Sequence, residues 1–226
     1  MEKFVVSKGC RDLGLRAGAI VFRDVRVSER HPDLESAIAA QVASIRGEFG
    51  SVAEIRALPE VSRYREILRS VGVRPKKQPP SVESLAQLAF KRGLLPSVNT
   101  LVDAYNLMSV KHRVSMGAHD LEKIAMPVEL RIFRGDERFR PLGNSEATPT
   151  TAGEFGYIDS EGRVLCRLDI LQADFSKVTP ATRNVLMIIE ATIAHDPATV
   201  REVFAETVKL VRRCCGGEAE VVSMPS

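Results

Sequence analysis

The sequence predicts an α+β fold in which a mixed or antiparallel sheet is flanked by helices within a single compact domain. Apolar residues recur with a helical period in the first half of the chain, alternate with a period near two beyond residue 125, and show no regular strand–helix alternation. A composition of 44% apolar and 27% charged residues over 226 residues is typical of globular domains. We expect the domain to span residues 1–217 and the tail, residues 218–226, to be frayed.

The first 72 residues predict two strands and two helices. The strands are expected at Phe4–Val6 and at residues 19–27, where the alternation of apolar and polar residues slips by one position. Amphipathic helices follow Pro32 and Pro59, since proline favours the first turn of a helix, and Gly72 ends the second one.

Three prolines in residues 73–80 exclude a helix there and predict a stiff, basic connector. Ser81 is predicted to cap the next helix, which ends at Gly93. A further helix is expected to start at Pro96 and Ser97.

Strands dominate the prediction beyond residue 125. Residues 128–132 alternate as a strand, and residues 155–166 form a hairpin around a glycine-containing turn. The apolar run at residues 184–189 predicts a strand covered on both faces. A long final helix begins after Asp196, its N-cap, and ends before Gly216.

Charge and cysteine content narrow the functional classes. The net charge of +3 is too small for a protein that wraps nucleic acid, although a local basic face remains compatible with it. Neither a bilayer-spanning apolar stretch nor the apolar run of a signal peptide is found, so we expect a cytoplasmic protein. The spacing of the cysteines matches no zinc or redox motif, so we expect four reduced thiols at Cys10, Cys166, Cys214 and Cys215.

Common cofactor and catalytic motifs are absent from the sequence. It contains no phosphate-binding loop, no dinucleotide fingerprint, no H-E-x-x-H pair and no G-x-S-x-G elbow. The sequence therefore predicts neither a metal site nor an organic cofactor.

Three blocks of sequence occur in an order known from one protein family. Residues 95–106 read L-P-S-V-N-T-L-V-D-A-Y-N, residues 117–124 read G-A-H-D-L-E-K-I, and residues 179–186 read T-P-A-T-R-N-V-L. These blocks resemble the V-D-x-x-N helix, the H-A-[FY]-D-L-D-K-I loop and the T-x-x-T-x-N-V-L segment of the phenylalanyl-tRNA synthetase β-subunit editing module, its third and fourth domains. The resemblance is closest to free-standing proteins built from this module and covers about residues 60–195.

The resemblance implies the α+β fold of that module, a tRNA partner, and hydrolysis of a mischarged aminoacyl ester at the tRNA acceptor end. No cofactor is implied. We do not expect a complete phenylalanine–tRNA ligase, because the aminoacylation core has no room in these 226 residues. Two alternatives stay open, namely a non-catalytic module that binds tRNA or a small molecule, and a subunit that packs on another protein.

The resemblance assigns three residues to the catalytic site. Asn106 matches the last residue of V-D-x-x-N, with a loop-capping amide as the alternative, whereas Asp103 is expected to be structural. Glu190 matches the glutamate that reads the misacylated side chain, with a salt-bridged strand terminus as the alternative. Gly117 stands where the module usually has a histidine, and His119 is expected to point elsewhere.

Five further residues are assigned to substrate binding. Backbone amides of a loop from Ser115 to Ala118 are expected to hold the oxyanion that develops during hydrolysis. Arg167 and Gln172 match the R-x-W-x-x-Q run of free-standing relatives, although the tryptophan is absent. Thr182 belongs to the third block of the resemblance.

Basic residues near the connector predict an RNA surface. The side chains expected to contact tRNA phosphates, rather than only solvent, are those of Arg74, Lys76, Lys77 and Lys91.

Overall fold

The computed structural model describes residues 3–225 and confirms the predicted α+β class. Its α-helices are α1 (Lys8–Asp12), α2 (Pro32–Glu48), α3 (Val52–Ala57), α4 (Pro59–Ser70), α5 (Ser81–Arg92), α6 (Thr100–His112) and α7 (Pro197–Cys215). Its strands are β1 (Phe4–Val6), β2 (Leu15–Arg23), β3 (Ser115–Asp120), β4 (Val128–Ile132), β5 (Arg138–Phe139), β6 (Thr148–Pro149), β7 (Phe155–Ile158), β8 (Val164–Arg167), β9 (Leu171–Gln172), β10 (Val185–Thr192) and β11 (Glu218–Ser223). A short 3-10 helix at Leu121–Lys123 follows β3.

The strands form two main sheets. A five-stranded mixed sheet has the order β1-β4-β7-β8-β9, with β1 and β4 parallel and the other neighbours antiparallel. A four-stranded antiparallel sheet has the order β11-β2-β10-β3, which leaves β3 at one edge. Strands β5 and β6 pair with each other outside both sheets.

Both faces of the four-stranded sheet are covered. On one face, Phe22 and Met187 pack with Leu101 of α6 and Phe204 of α7. The opposite face packs against the five-stranded sheet through a second core that includes Ala19, Val21, Leu186, Ile188, Leu130, Phe155 and Leu165. This double burial explains why residues 184–189 are almost continuously apolar and why the alternation in β2 is indistinct, because neither face has to be polar.

Several predicted elements are confirmed. Helices α2 and α4 begin at Pro32 and Pro59, the β7–β8 hairpin has its predicted turn, and β10 contains the apolar run. Helix α7 begins as expected, since Asp196 Oδ1 accepts a hydrogen bond from the Ala198 N–H at 2.6 Å. These elements share strong local signals, namely proline at the first turn, an N-cap or an unbroken apolar run.

Some predicted boundaries are wrong. Helix α6 starts at Thr100 rather than at Pro96 and Ser97, because Asn99 caps it by accepting a hydrogen bond from the Val102 N–H at 3.0 Å. Ser81 is the first residue of α5 instead of its cap. The second strand spans Leu15–Arg23 instead of residues 19–27, and α3 was not predicted.

The prediction of a frayed C-terminal tail is wrong for residues 218–223. Residues 218–223 form β11, which pairs antiparallel with β2, so the fourth strand of this sheet comes from the tail. Local composition gave no sign of this strand, because its stability comes from pairing with a strand some 200 residues earlier in the sequence.

A buried carboxylate joins three helices. Glu83 of α5 is fully buried and binds Arg65 of α4 at 2.7 Å and Arg56 of α3 at 3.0 Å. Gln87 Nε2 donates a further hydrogen bond to Glu83 Oε1 at 2.6 Å. Two guanidinium groups and an amide compensate for the burial of this charge, and together they fix the position of α5.

Replacing the central carboxylate should destabilise the protein. We expect Glu83→Gln to lower the free energy of unfolding by about 3 kcal/mol, because it leaves the guanidinium of Arg65 without its buried partner. The matched control is Glu66→Gln, which removes the exposed ion pair with Arg63 and should cost at most about 1 kcal/mol. Urea unfolding measures both, and equal losses would contradict the assigned role of Glu83.

Candidate active site

A small open cavity lies between the β3–β10 edge of the four-stranded sheet and strands β7 and β8 of the other sheet. Its volume is about 30 Å³, which is room for one or two water molecules. The residues that line it are Ser115, Met116, Gly117, His119, Tyr157, Cys166, Asp169, Ile188 and Glu190. Three of the predicted site residues, Ser115, Gly117 and Glu190, thus meet at one place.

Glu190 is a buried acid on the cavity wall. In β10 it has the same parity as Leu186 and Ile188, so it faces the layer between the two sheets. The Tyr157 hydroxyl donates a hydrogen bond to Glu190 Oε2, whereas Oε1 has no hydrogen-bond partner among the described residues. Burial and the nearby charge of Asp169 raise the pKa of Glu190 from 4.5 to about 8, against the opposing effect of the Tyr157 hydrogen bond.

Tyr64 of α4 ties Glu190 to the edge strand. Its hydroxyl donates a hydrogen bond to the backbone carbonyl of Glu190 and accepts one from the Ser115 N–H at 3.0 Å. Glu190 and Ser115 are also directly opposite each other in the β10–β3 pairing. A side chain from a helix therefore fixes the two strands at the position of the cavity.

Asp169 is a second acid on the wall and was not among the predicted site residues. Its Oδ2 atom accepts hydrogen bonds from the Ser115 hydroxyl at 2.8 Å and from the Ser81 N–H at 3.0 Å. Its Oδ1 atom has no partner among the described residues. Burial raises the pKa of Asp169, and the hydrogen bonds from Ser115 and Ser81 oppose that rise. Leu168, just before it, has a φ of 56°, an uncommon left-handed conformation for leucine.

The predicted orientation of His119 is wrong. Ser115, Gly117 and His119 alternate along β3, and because residues two apart in a strand share a face, all three line the cavity. The prediction had assumed a loop in this place. Burial lowers the pKa of His119 to about 4, so the ring is neutral at pH 7, and its Nδ1 atom lies 2.9 Å from the Ser176 hydroxyl.

The expected oxyanion loop is also a strand. Because the Ser115 N–H is already donated to Tyr64, it does not point freely at the cavity as the loop prediction required. Gly117 leaves open space, since a Cβ atom added to it would meet no atom within 4 Å. Its backbone can also carry a side chain, because its φ is not positive.

Other predicted residues lie outside the cavity wall. Asn106 is on α6 and is buried, but it is not among the lining residues, so its catalytic role stays a prediction. Asp103 is structural, as expected, although its Oδ1 atom accepts from the Val98 N–H at 2.8 Å, before the helix rather than after it. Gln172 Nε2 donates to the carbonyl of Ala118 at 2.9 Å and so binds the outer edge of β3.

Arg167 and Thr182 have protein partners. The Arg167 guanidinium forms a two-point ion pair with Glu154, with distances of 2.5 and 2.9 Å. The Thr182 hydroxyl donates a hydrogen bond to Asp120 Oδ2 at 2.7 Å. Both side chains hold strands or loops in place, and their role in substrate binding stays a prediction.

The four predicted phosphate-binding residues are all exposed. Arg74, Lys76 and Lys77 lie on the connector that leads directly to Ser81, the residue whose N–H binds Asp169. Lys91 lies at the other end of α5, which corresponds to about 15 Å along the helix axis. The connector residues form one cluster, and Lys91 is separate from it.

Residues 3–225 contain neither a membrane-spanning helix nor a cluster of potential metal ligands. No helix there combines the length and apolar character needed to span a membrane. No group of three or more His, Cys, Asp or Glu side chains in the same residues has the arrangement of a metal site. All four cysteines are free thiols, as predicted.

The fold is similar to that of a solved structure. The chain is similar to an N-terminal fragment of the phenylalanyl-tRNA synthetase β subunit from Pyrococcus horikoshii, with a TM-score of 0.53 and 16% identity over 96% of this chain and 50% of that one. The family model described as B3/4 domain matches residues 63–216, and the chain therefore belongs to the B3/4 domain family. This match confirms the resemblance identified from the three sequence blocks.

Two curated relatives are also β subunits of phenylalanine–tRNA ligases. A phenylalanine–tRNA ligase β subunit from Photorhabdus laumondii is 23% identical over 225 residues, which is 88% of this chain and 27% of the relative. The corresponding subunit from Shewanella oneidensis is 24% identical over 156 residues, which is 59% of this chain and 19% of the relative. The chain thus spans only about a fifth to a quarter of the length of these relatives.

The raised pKa of Glu190 predicts a pH-dependent stability. Between pH 4.5 and about 8 the folded chain retains a proton that the unfolded chain releases, so this group lowers the free energy of unfolding as the pH rises. Relative to wild type, Glu190→Gln should therefore gain about 2 kcal/mol between pH 5.5 and 7.5, at up to about 1.4 kcal/mol per pH unit.

Urea unfolding of both proteins across this pH range measures the effect, and comparing them removes the contributions of groups that titrate in both. The other titratable side chains that face Glu190 are Asp169, Tyr157, Tyr64, Cys10, Cys166 and His119. A difference in stability that does not change with pH would show that Glu190 is ionised in the folded protein.

Proposed function

We propose that this chain binds the acceptor end of an aminoacylated tRNA and hydrolyses a mischarged aminoacyl ester. The observation that carries the proposal is the cavity itself, which is lined both by Gly117, the first residue of the second block of the family resemblance, and by Glu190, which lies in β10 just beyond the third block. Membership of the B3/4 domain family and the tRNA ligase relatives support a tRNA partner.

The chemistry of the proposed reaction is simple. The oxygen of a water molecule bonds to the ester carbonyl carbon, the bond from that carbon to the ribose oxygen breaks, and the ribose oxygen takes up a proton. Only a small polar group of the aminoacyl moiety enters the cavity, next to Glu190, while the ester lies at the cavity opening on the side of Gly117. Selection then follows from which groups this small, partly acidic cavity admits.

Hydrolysis has to proceed here without a histidine at position 117. His119 is on the same wall, but its low pKa makes it a weak base, and its ring contacts Ser176. A positioned general base contributes about two to four powers of ten in rate. We therefore infer a slow reaction that depends on the activated ester and on the neighbouring ribose hydroxyl.

A non-catalytic module that binds aminoacyl-tRNA is the second candidate. Gly117 favours it, because the cavity contains open space at the position where the related module usually has a histidine. Binding and hydrolysis use the same cavity in the two candidates, so a rate measurement separates them.

Restoring the histidine should accelerate hydrolysis. With a panel of mischarged tRNAs, we expect slow deacylation of at least one of them by the wild-type protein and at least a tenfold faster reaction with Gly117→His. The Cβ atom of the new side chain has space, because no atom lies within 4 Å of it. Release of labelled amino acid under single-turnover conditions measures both rates.

Gly47→His is the matched control, because Gly47 on α2 also has no atom within 4 Å of an added Cβ and lies outside the cavity. It should leave the rate unchanged. Absence of deacylation with both the wild type and Gly117→His, in proteins that still bind aminoacyl-tRNA, would favour the non-catalytic candidate.

The connector supplies the proposed phosphate contacts. We expect the combined change of Arg74, Lys76 and Lys77 to alanine to lower the slope of log K against log salt for tRNA binding by about 2, since each phosphate contact contributes about 0.7 to 0.9. Lys91→Ala, at the other end of α5, should change it by at most about 1. Filter binding at several salt concentrations measures the slopes, and a wild-type slope in the triple variant would remove the connector from the interface.

A further inference from the structure

Asp169 and Glu190 form a pair of acids without a cation. They line the same cavity, and burial together with the nearby charge of Asp169 raises the pKa of Glu190. Within residues 3–225, no Lys, Arg or His side chain forms a salt bridge with either carboxylate. Burying two carboxyl groups together without a positive charge is costly, so it calls for an explanation.

Several other buried carboxylates have a cationic partner: Glu83 binds two arginines, Glu154 binds Arg167, and Glu137 binds Arg131 at 2.9 Å. Asp103 and Asp120 are buried without a cation, but neutral donors bond to both of their oxygens. The pair in the cavity departs from both patterns, because each of its carboxyl groups lacks a cation and leaves one oxygen without a partner. Because the departure occurs where the protein is open to a ligand, the missing charge can be supplied from outside.

Each acid of the pair is held by one oxygen and leaves the other unbonded. Asp169 is fixed through Oδ2 by Ser115 and Ser81, and Glu190 is fixed through Oε2 by Tyr157. The unbonded atoms are Asp169 Oδ1 and Glu190 Oε1, both of them shielded from solvent. Glu190 is 2% exposed, and the cavity beside it is the size of one small polar group. The two unbonded oxygens are thus already fixed in place, so a donor that binds them does not have to order either side chain.

We propose that Asp169 and Glu190 together bind the protonated primary amine of the ligand. An ammonium group has three donors and one positive charge, so it can donate to both unbonded oxygens while compensating for the pair. That the ligand is an aminoacyl ester rests on the proposed function, whereas the binding of an ammonium group does not. In an aminoacyl ester the amine is either the α-amino group or the end of a basic side chain.

Matched adenosine compounds can test the pair and identify the amine. The probes are non-hydrolysable 3′-amide analogues carrying phenylalanyl, 3-phenylpropionyl, lysyl or norleucyl groups, together with free ethylammonium and ethanol. Calorimetry or amide NMR shifts of β3 measure affinity at pH 8. We expect the compound with the relevant amine to bind at least about tenfold more tightly than its neutral counterpart.

The two pairs of compounds assign the amine to one position. A preference for phenylalanyl over 3-phenylpropionyl assigns the site to the α-amino group, and a preference for lysyl over norleucyl assigns it to a side-chain amine. Asp169→Asn and Glu190→Gln should each reduce the preference to less than about threefold, because each replaces an acid that can ionise beside the ammonium group by a neutral amide. Glu146→Gln, at an exposed carboxylate outside the cavity, should preserve it.

The outcomes separate this inference from the proposed function. Equal binding of amine and neutral compounds to the wild type overturns the inference and leaves the proposed function standing. Ethylammonium binding that both acid variants weaken, without binding of any adenosine compound, supports the inference and removes the aminoacyl-adenosine end as the ligand. A preference that survives in both folded variants overturns the inference, and circular dichroism verifies folding.

Discussion

The burial of Glu190 is the constraint on which the site depends. A carboxyl group at the interface of two sheets is stable there only if it is hydrogen-bonded, neutral or matched by a cation. The Tyr157 hydroxyl donates a hydrogen bond to one carboxyl oxygen of Glu190, and the raised pKa of Glu190 keeps this carboxyl group protonated near neutral pH. The backbone of the same residue is fixed separately through Tyr64. Each of these groups comes from a different element, and together they align β10, β7 and α4 around one side chain. The cavity is therefore a consequence of how the two sheets are joined.

Elements with a strong signal in their own sequence were predicted, whereas elements that depend on pairing with distant residues were missed. Helix α7 and strand β10 carry their own signals, an N-cap with proline and a long apolar run, and both were predicted. Strand β3 was missed because its cavity-facing positions, Ser115, Gly117 and His119, are small or polar, which is a pattern typical of a loop. Its identity as a strand comes from pairing with β10, a contact across about 70 residues of sequence. The same reason applies to β11.

The candidate site was predicted only in part, because some of its residues are brought together by contacts between distant parts of the sequence. Glu190 and Gly117 could be identified because they lie in or beside blocks that resemble a known family. Asp169 was not predicted because the resemblance assigns it no role, and its contacts are with Ser81 and Ser115, which lie 88 and 54 residues away in the sequence. Arg167 was assigned to substrate binding because it matches the R-x-W-x-x-Q run of free-standing relatives, and the structure gives it Glu154 as a partner. Sequence alone could not distinguish a buried acid that has a guanidinium partner from one that lacks it.

Ser81 connects the interior of the protein with its basic surface. Its N–H and hydroxyl both contact Asp169 Oδ2, and the residues just before it are the prolines and basic side chains of the connector. Helix α5 is also fixed through Glu83, which forms ion pairs with an arginine from α3 and an arginine from α4. A rigid helix whose first residue binds the cavity acid leaves little freedom for the connector to move independently of that acid. A phosphate bound by Arg74, Lys76 or Lys77 would therefore bear on the position of Asp169 through the four to seven residues that lead to Ser81, where Pro79 and Pro80 restrict the backbone. By this geometry, the proposed phosphate contacts and the orientation of Asp169 would be mechanically linked, even though the surface and the cavity use different residues.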